Sequence, residues 1–438
     1  MKRSLMWFRN DLRLADNPAL IAASGAREAL VCLYIVEPRW FVADNWHSRR
    51  IGDHQWRFLQ QSLQDLDQRL GELGQQLLIR IGDPLTIIPQ LMRNHWLNDL
   101  YCSAPFGEEE RRQYLTLQQQ LGEQRCHAIE GSTLFRLEQL PLPLSQLPAS
   151  FSKFRKQMAA IAPAKPLPAP RLLPASLQLQ SEFLPPLATL PQALFCGGES
   201  AGLQHAEHYF DSAAPQTYKQ TRNALDDWCS STKFSPWLAH GCLSPRQLWQ
   251  AISTHEAQQS RNDSTDWIRV ELLWREYFQW LALSAQSRLF AFTGTQGIRR
   301  PTSFYPERFA KWCQGATPYP IINAAINQLN ATGYTSNRAR QLLASCFVHE
   351  LALDWRYGAA YFQQQLIDHD VGCNWGNWQY LAGVGQDPRG WRQFDLAKQT
   401  EIYDPDGEFI AKWGGDRHPA PLDSLDHSDW PVTARAEP

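Results

Sequence analysis

The densest run of chemically capable side chains is Asp368-His369-Asp370-Val371-Gly372-Cys373-Asn374-Trp375-Gly376-Asn377-Trp378-Gln379-Tyr380, where carboxylates, amides, an imidazole and indoles crowd a Gly-containing turn after a helix. Carboxylates taken out of water need partners. Asn337, Arg338 and Arg340 just upstream carry the donors for charge-assisted hydrogen bonds to Asp368 or Asp370. The bland reading is a structural ion-pair network. His369 alone between two carboxylates makes no metal site, and none is expected.

Two other clusters carry chemistry. Tyr218-Lys219-Gln220-Thr221-Arg222-Asn223 is followed by Ser230 to Pro245, in which Ser231, Thr232, Lys233, Phe234 and Ser235 bring hydroxyls and a cation to a helix start. That combination suits a phosphate, although Ser and Thr at such positions are also ordinary caps. The segment Glu271-Leu272-Leu273-Trp274-Arg275-Glu276-Tyr277-Phe278 puts Glu271, Trp274, Arg275 and Phe278 on neighbouring helical positions. A carboxylate, an indole and a guanidinium facing one cavity suit a stacked base, and an amphipathic core helix equally well.

The elements that must position these groups fall into two kinds. In residues 1–130, Leu5–Phe8, Ala29–Val36, Leu77–Ile81, Asp99–Ser103 and Cys126–Ile129 read as strands, with helices expected at Asp53–Leu73, Pro84–Trp96 and Glu108–Leu121. Repeated strand–helix units predict an α/β domain with a parallel sheet covered on both faces. No G-x-G-x-x-G or P-loop names its ligand. Residues 131–196 are Pro-rich and read as a wrapping linker. From 197 to 413 the pattern is helical, with helices expected at Ala201–Phe210, Pro245–Thr254, Trp267–Leu283, Pro320–Thr332, Asn337–Leu351 and Trp355–Ile367. Residues 414–438 read as a loose tail.

Composition bounds the rest. The chain has 438 residues, 43% hydrophobic and 20% charged, which is the balance of a globular protein. Its N-terminal apolar run is broken by Arg9, Asp11 and Arg13, so neither a secretory signal nor a membrane span is expected. Nine Cys without a Cys-x-x-Cys pair fit a reduced, cytoplasmic protein. A formal charge of −2 gives no global attraction to nucleic acid, so DNA binding would require a local cationic patch.

Together these motifs resemble the photolyase/cryptochrome family, from Trp7-Phe8-Arg9-Asn10-Asp11-Leu12-Arg13-Leu14 to Tyr403-Asp404-Pro405-Asp406-Gly407-Glu408. Asn337-Arg338-Ala339-Arg340-Gln341, Asn374-Trp375-Gly376-Asn377-Trp378-Gln379-Tyr380 and Phe151-Ser152-Lys153-Phe154-Arg155-Lys156 are similar to the DASH branch. Duplex photolyases usually carry Met and Trp in place of Gln341 and Tyr380.

The resemblance implies a Rossmann-like antenna domain joined to an all-α domain that holds FAD in a bent form. It places Tyr218, Ser231, Thr232, Lys233, Phe234 and Ser235 along the FAD phosphates and ribityl chain. Arg275, Arg340, Asp368, His369, Asp370 and Asn374 fall near the flavin ring, with Arg340 and Asp368 as an ion pair and Asn374 facing N5. The implied reaction is light-driven electron transfer that splits cyclobutane pyrimidine dimers, with Glu271, Asn337, Asn374, Trp378 and Trp355 as the reacting set. Trp378 and Trp355 match the first two members of a tryptophan relay. Glu271, Trp274, Arg275, Tyr277, Phe278, Asn337, Arg338, Arg340, Gln341, Tyr380 and Gln399 are expected toward DNA. A cationic patch of Arg275, Arg338, Arg389, Arg392 and Lys398 is expected to meet phosphates.

The implied substrate is dimer-containing DNA, single-stranded preferred, bound by a monomer; a duplex photolyase and a blue-light photoreceptor are the alternatives. The chain departs from the family pattern at Pro318, Asn323 and Asn327 and at the outer relay position, occupied by Thr302, which leaves Tyr305, Phe304 or Trp312 as substitutes and photoreduction slow or rerouted. A folate antenna, methenyltetrahydrofolate, is the family expectation, but residues 102–107 lack the acidic side chain associated with it.

Overall fold

Apolar runs bounded by turn residues become strands. The computed structural model describes residues 2–423 apart from 26, 44–47, 192, 387–389 and 418. In it β1 (Arg3–Phe8), β2 (Ala29–Val36), β3 (Leu77–Ile81), β4 (Asp99–Ser103) and β5 (Cys126–Ile129) form a parallel sheet in the order β3-β2-β1-β4-β5. β2 is buried along its whole length, as a central strand covered on both faces must be. The cover comes from α1 (Pro18–Ser24), α2 (Asp53–Gly71), α3 (Pro84–Asn94) and α4 (Glu108–Leu121). Strand order reverses between β1 and β4, and a cleft opens beyond their carboxyl ends, where such sheets take ligands.

The Pro-rich stretch is more structured than its composition suggests. It contains a helix, α5 (Phe151–Met158), and a two-residue strand, β6 (Ala175–Ser176), that pairs with β2. Farther on, Glu182 N–H donates to Ile79 O at 3.1 Å and Ile79 N–H donates to Ser181 Oγ at 3.1 Å. The linker thereby covers a sheet edge that would otherwise expose unpaired backbone groups.

The rest is helical: α6 (Glu199–Asp211), α7 (Ala214–Thr221), α8 (Ser235–Ala239), α9 (Pro245–Gln259), α10 (Asp263–Ala285), α11 (Pro306–Gln314), α12 (Pro320–Thr332), α13 (Asn337–His349), α14 (Trp355–Gln365), α15 (Val371–Leu381), α16 (Leu396–Tyr403) and α17 (Glu408–Lys412). The turn read from the two glycines of Asp368–Tyr380 is instead the start of α15. Those glycines are contact points, because a Cβ at Gly372 would lie 2.7 Å from Phe278 O and one at Gly376 would lie 2.4 Å from Phe278 Cδ1. Helix α15 therefore reaches α10 more closely than side chains would permit.

The two halves are locked by buried polar contacts. Asp16, fully buried, accepts from Ser244 Oγ at 2.5 Å and Arg246 Nε at 2.9 Å, while Glu199 accepts from Leu14 N–H at 2.6 Å and Ala15 N–H at 3.0 Å. At Gly241, with φ of +67°, a Cβ would lie 2.0 Å from Asn10 O, so the exit of β1 is keyed into the α8–α9 turn. The expected loose tail needs correction at its start. Asn323 Nδ2 donates to Gly415 O at 3.0 Å and Arg308 Nε donates to Asp423 Oδ1 at 2.6 Å, so this segment is held on α11 and α12. Residues 424–438 lie outside the described residues.

Candidate functional site

A cavity opens where α13 and α15 meet the loop between α14 and α15. On its wall Arg340 Nη2 donates to Asp368 Oδ2 at 2.8 Å, the ion pair expected from sequence, and Arg340 Nε donates to Thr335 O at 2.9 Å. Asp368 Oδ1 is buried and has no partner, leaving one carboxylate acceptor for a ligand donor. Burial pulls the neighbouring His369 down to about 4, so its imidazole is neutral at ordinary pH, and its Nδ1 is likewise buried without a partner. Two orphaned polar atoms side by side are costly unless something fills them.

Asn374 completes this wall. Its Nδ2 donates to Ala359 O at 2.9 Å, which fixes the amide plane, and among the described residues no donor reaches Oδ1. A neutral acceptor is thus presented to the cavity. Asp370 lines the same cavity and also fixes helices. Its Oδ1 caps α15 by accepting from Cys373 N–H at 2.9 Å, and its Oδ2 accepts from Gln279 Nε2 at 2.9 Å, so it fixes α15 to α10.

The phosphate-suited cluster lies across α7 and the loop before α8. Tyr218 is buried on α7, and Thr221 Oγ1 donates to Ser230 O at 2.7 Å, tying loop to helix. Lys233, held at a φ of +54°, donates from Nζ to Ser231 Oγ at 2.9 Å. Burial lowers this ammonium to about 8, opposed by Asp227 and Asp226, and Tyr334 lies 5.4 Å beneath it. Thr232 O meets His205 Nε2 at 2.9 Å, and exposed Ser235 opens α8. Phe234 is a correction: it packs in the core against Phe210, Tyr209 and His205.

Helices α7, α10, α13 and α15 pair charge with aromatic surface. Glu271 Oε1 accepts from Arg222 Nη1 at 3.1 Å and Trp267 Nε1 at 2.9 Å, and its side chain stays 32% exposed. Burial raises its carboxyl, with Arg222 and Trp267 opposing. Arg338 Nη2 donates to Asn223 Oδ1 at 3.3 Å and its guanidinium lies 4.8 Å over Tyr403. Asn337 is exposed and lines the cavity with half-buried Gln341. Half-buried Tyr380 meets Trp274 at 6.2 Å, and Arg392 lies 5.1 Å over Tyr380.

Gln399 is half-buried on α16 with its Oε1 unpartnered, and Lys398 beside it is exposed. Arg389 lies outside the described residues.

Three residues expected toward DNA face inward. Arg275 donates to Ser132 O at 2.8 Å and Leu238 O at 3.2 Å and lies 3.9 Å from Asp370, so its charge is spent joining α10 to the linker and α8. Tyr277 is buried and donates from Oη to Pro148 O at 2.9 Å. Phe278 fills the space left by the α15 glycines. Arg340 is turned into the cavity by its ion pair with Asp368. Helical periodicity put these groups on adjacent positions but could not say which side faces solvent.

Arg222 and Trp267 were missed as site residues because their signal, a cation and an indole meeting Glu271, crosses between α7 and α10. Trp378 is buried on the cavity wall, its ring over Gly358, where a Cβ would lie 2.2 Å from Cη2. Trp355, also buried, donates from Nε1 to Phe292 O at 3.0 Å. The Asn323 departure is locally satisfied: its Oδ1 accepts from Thr317 N–H at 2.8 Å and Thr317 Oγ1 at 2.7 Å.

The inter-domain cleft is the second cavity. Residues 102–107 bring no acid, yet Glu37 from the end of β2 and Glu109 and Glu110 from the first turn of α4 line it. Burial raises Glu37 and Glu110. His369 lines both cavities.

Residues 4–171 match the family DNA photolyase, and residues 267–436 match the FAD binding domain of DNA photolyase. The chain is 51% identical to Cryptochrome DASH of Idiomarina loihiensis over 98% of this chain and 96% of that protein, and 47% identical to Cryptochrome DASH of Vibrio parahaemolyticus over 100% and 98%. Among solved structures it is similar to the Synechocystis cryptochrome, with a TM-score of 0.91 and 36% identity over 99% of this chain and 92% of that one. A class III photolyase from Agrobacterium tumefaciens gives 0.79 and 25% over 94% and 86%.

The acceptors left open by Asp368 and Asn374 and the cation at Lys233 fit an FAD, whose ring carries N–H donors and whose diphosphate is anionic. With both family regions matched in order and relatives half identical over its length, the chain belongs to the photolyase/cryptochrome family, among the DASH cryptochromes, and its helical half is an FAD-binding domain.

Proposed function

We propose that the protein repairs cyclobutane pyrimidine dimers in DNA under blue light, with single-stranded DNA as the preferred substrate. When bound, reduced FAD supplies on illumination the electron that splits the dimer and takes it back afterwards. The chain's own residues bind, orient and exclude water. Lys233 and Ser231 would receive the FAD diphosphate, Arg340 and Asp368 would hold the flavin ring's polar edge, and Asn374 Oδ1 would offer the ring a neutral acceptor. A carboxylate there would favour a different redox state.

The observation that carries the reading is the partly exposed Glu271–Arg222–Trp267 group between α7 and α10. A partly exposed carboxylate, oriented by two donors beside Trp274 and Tyr380, suits the N–H edges of an extruded pyrimidine pair. A dimer stacks and pairs poorly, so extruding it costs less than flipping a normal base. Repair of a defined dimer in a single-stranded oligonucleotide, with and without blue light, tests this. Turnover in light alone is expected, and absence of repair by the fully reduced, FAD-loaded protein would overturn the reading in favour of a photoreceptor.

The inter-domain cleft is assigned on the same reading to a folate antenna. Glu37, Glu109 and Glu110 would supply the carboxylate acceptors for a pterin's N–H groups, Glu37 and Glu109 being oriented by Arg39, Gln113 and Arg50.

A further inference from the structure

The motif Phe151-Ser152-Lys153-Phe154-Arg155-Lys156 is given no task by the repair reading, although it forms a helix of its own. Helix α5 divides sharply by face. Phe151, Phe154 and Met158 are buried: Phe151 stacks on Trp274 with centroids 3.7 Å apart and planes 12° apart, and Phe154 meets Tyr277 at 5.3 Å. The chain entering the helix is fastened to α10 as well, since Tyr277 Oη donates to Pro148 O at 2.9 Å and Ser284 Oγ donates to Leu144 O at 3.2 Å. Helix α5 is thus seated on the aromatic face of α10 that carries Trp274.

The opposite face carries Lys153, Arg155 and Lys156, all exposed. Among the described residues no carboxylate pairs with any of the three. The acids of α10 nearest this seat are turned elsewhere: Glu271 to Arg222 and Trp267, and fully buried Glu276 to the N–H groups of Leu134 and Phe135. Three cations therefore stand uncompensated on one turn of a fixed helix, in a chain whose formal charge is −2. None of the three lines a described cavity, so this face fits an extended polyanion rather than an enclosed small ligand. At about 1.5 Å rise per residue, Lys153 and Lys156 are separated by roughly 5 Å along the axis, and their long arms span neighbouring phosphates of one strand.

We infer that α5 is a DNA-backbone clamp: phosphates flanking a nucleotide held in the cavity cross Lys153, Arg155 and Lys156, and Phe151 links that contact to Trp274. The inference rests on the DNA-repair reading. It assigns phosphate binding to the linker, where sequence placed none, in addition to Arg338, Arg392 and Lys398.

The test is the affinity of the FAD-loaded protein for a dimer-containing single-stranded oligonucleotide across a salt series, for the parent, for a Lys153→Gln/Arg155→Gln/Lys156→Gln variant and for a Lys153→Arg/Lys156→Arg variant. FAD content and thermal midpoint report whether each variant is folded. Removing three contacts should lower the salt slope by about 2, since single strands lose roughly 0.7 per phosphate contact, and weaken binding at low salt about tenfold. The Arg variant should behave as the parent. A folded Gln variant with unchanged slope overturns the clamp while leaving the repair reading in place, whereas salt-independent binding by the parent overturns both.

Discussion

Trp378 meets Trp312 edge to face, with ring centroids 6.4 Å apart and planes at 73°, while Trp355 is in ring contact with Trp375 at 5.7 Å. Trp312 is completely buried and its Nε1 has no partner, so a positive charge arriving there finds neither water nor an acceptor. On the family resemblance the outer relay position falls on Thr302, which carries no oxidisable ring.

Light-driven reduction of the flavin should consequently be slow in the parent. Thr302→Trp should speed it several-fold, and Trp378→Phe should suppress it at least tenfold while chemically reduced protein still repairs. Bleaching of the oxidised-flavin absorbance under blue light with an added thiol measures this. Equal rates in the Trp378→Phe variant and the parent would remove Trp378 from the relay.

Acid should destabilise the protein through two buried imidazoles. Burial pulls His240 and His369 from the usual 6.5 to about 4; the backbone carbonyl of Ile367 and the carboxylates Asp368 and Asp370 oppose it but do not offset it. Between pH 4 and 6.5 the unfolded chain binds protons that the folded one does not, so stability falls as pH drops through that window. Each group contributes up to about 3 kcal/mol. Denaturant midpoints should fall across the window, and His369→Asn should fall less steeply; parallel curves would refute the assignment.

The parallel sheet was legible because its strands are apolar runs with turns at both ends, and four of the five long strands have the bounds read from sequence. The Arg340–Asp368 pair was legible too. What periodicity could not supply was which face of α10 looks outward, since Arg275, Tyr277 and Phe278 face a linker and a helix remote in sequence. The two glycines of α15 signalled a turn by their conformational freedom, when their use here is the absence of a Cβ.

That use is testable. Gly376→Ala places a Cβ against the Phe278 ring, so α10 and α15 must part or Phe278 must leave its rotamer, at a cost of about 1–3 kcal/mol. The thermal midpoint should drop and FAD should dissociate faster, because Asn374 and Trp378 ride on the same helix. Gly376→Ala combined with Phe278→Leu should recover part of the loss; a single variant as stable as the parent would show that the helices have slack.

The last prediction concerns strand preference. Gln341 and Tyr380 occupy positions where duplex photolyases usually present Met and Trp, and Tyr380 is held between Trp274 at 6.2 Å and Arg392 at 5.1 Å. Opening paired, stacked DNA costs roughly a few kcal/mol per flipped unit. A less apolar wall forfeits up to about 1–3 kcal/mol for each weakened base contact, which is comparable to that cost. In single strands most of the opening cost disappears, and on the proposed reading Glu271, Trp274 and Asn337 would still orient the dimer. Repair and affinity should therefore be at least about tenfold better on single-stranded than on duplex substrates of the same sequence. Gln341→Met with Tyr380→Trp should narrow that ratio mainly by improving duplex binding. Dissociation constants and quantum yields on matched substrates decide it, and equal duplex performance by the parent would assign it to the duplex photolyases in activity while leaving its flavin pocket as described.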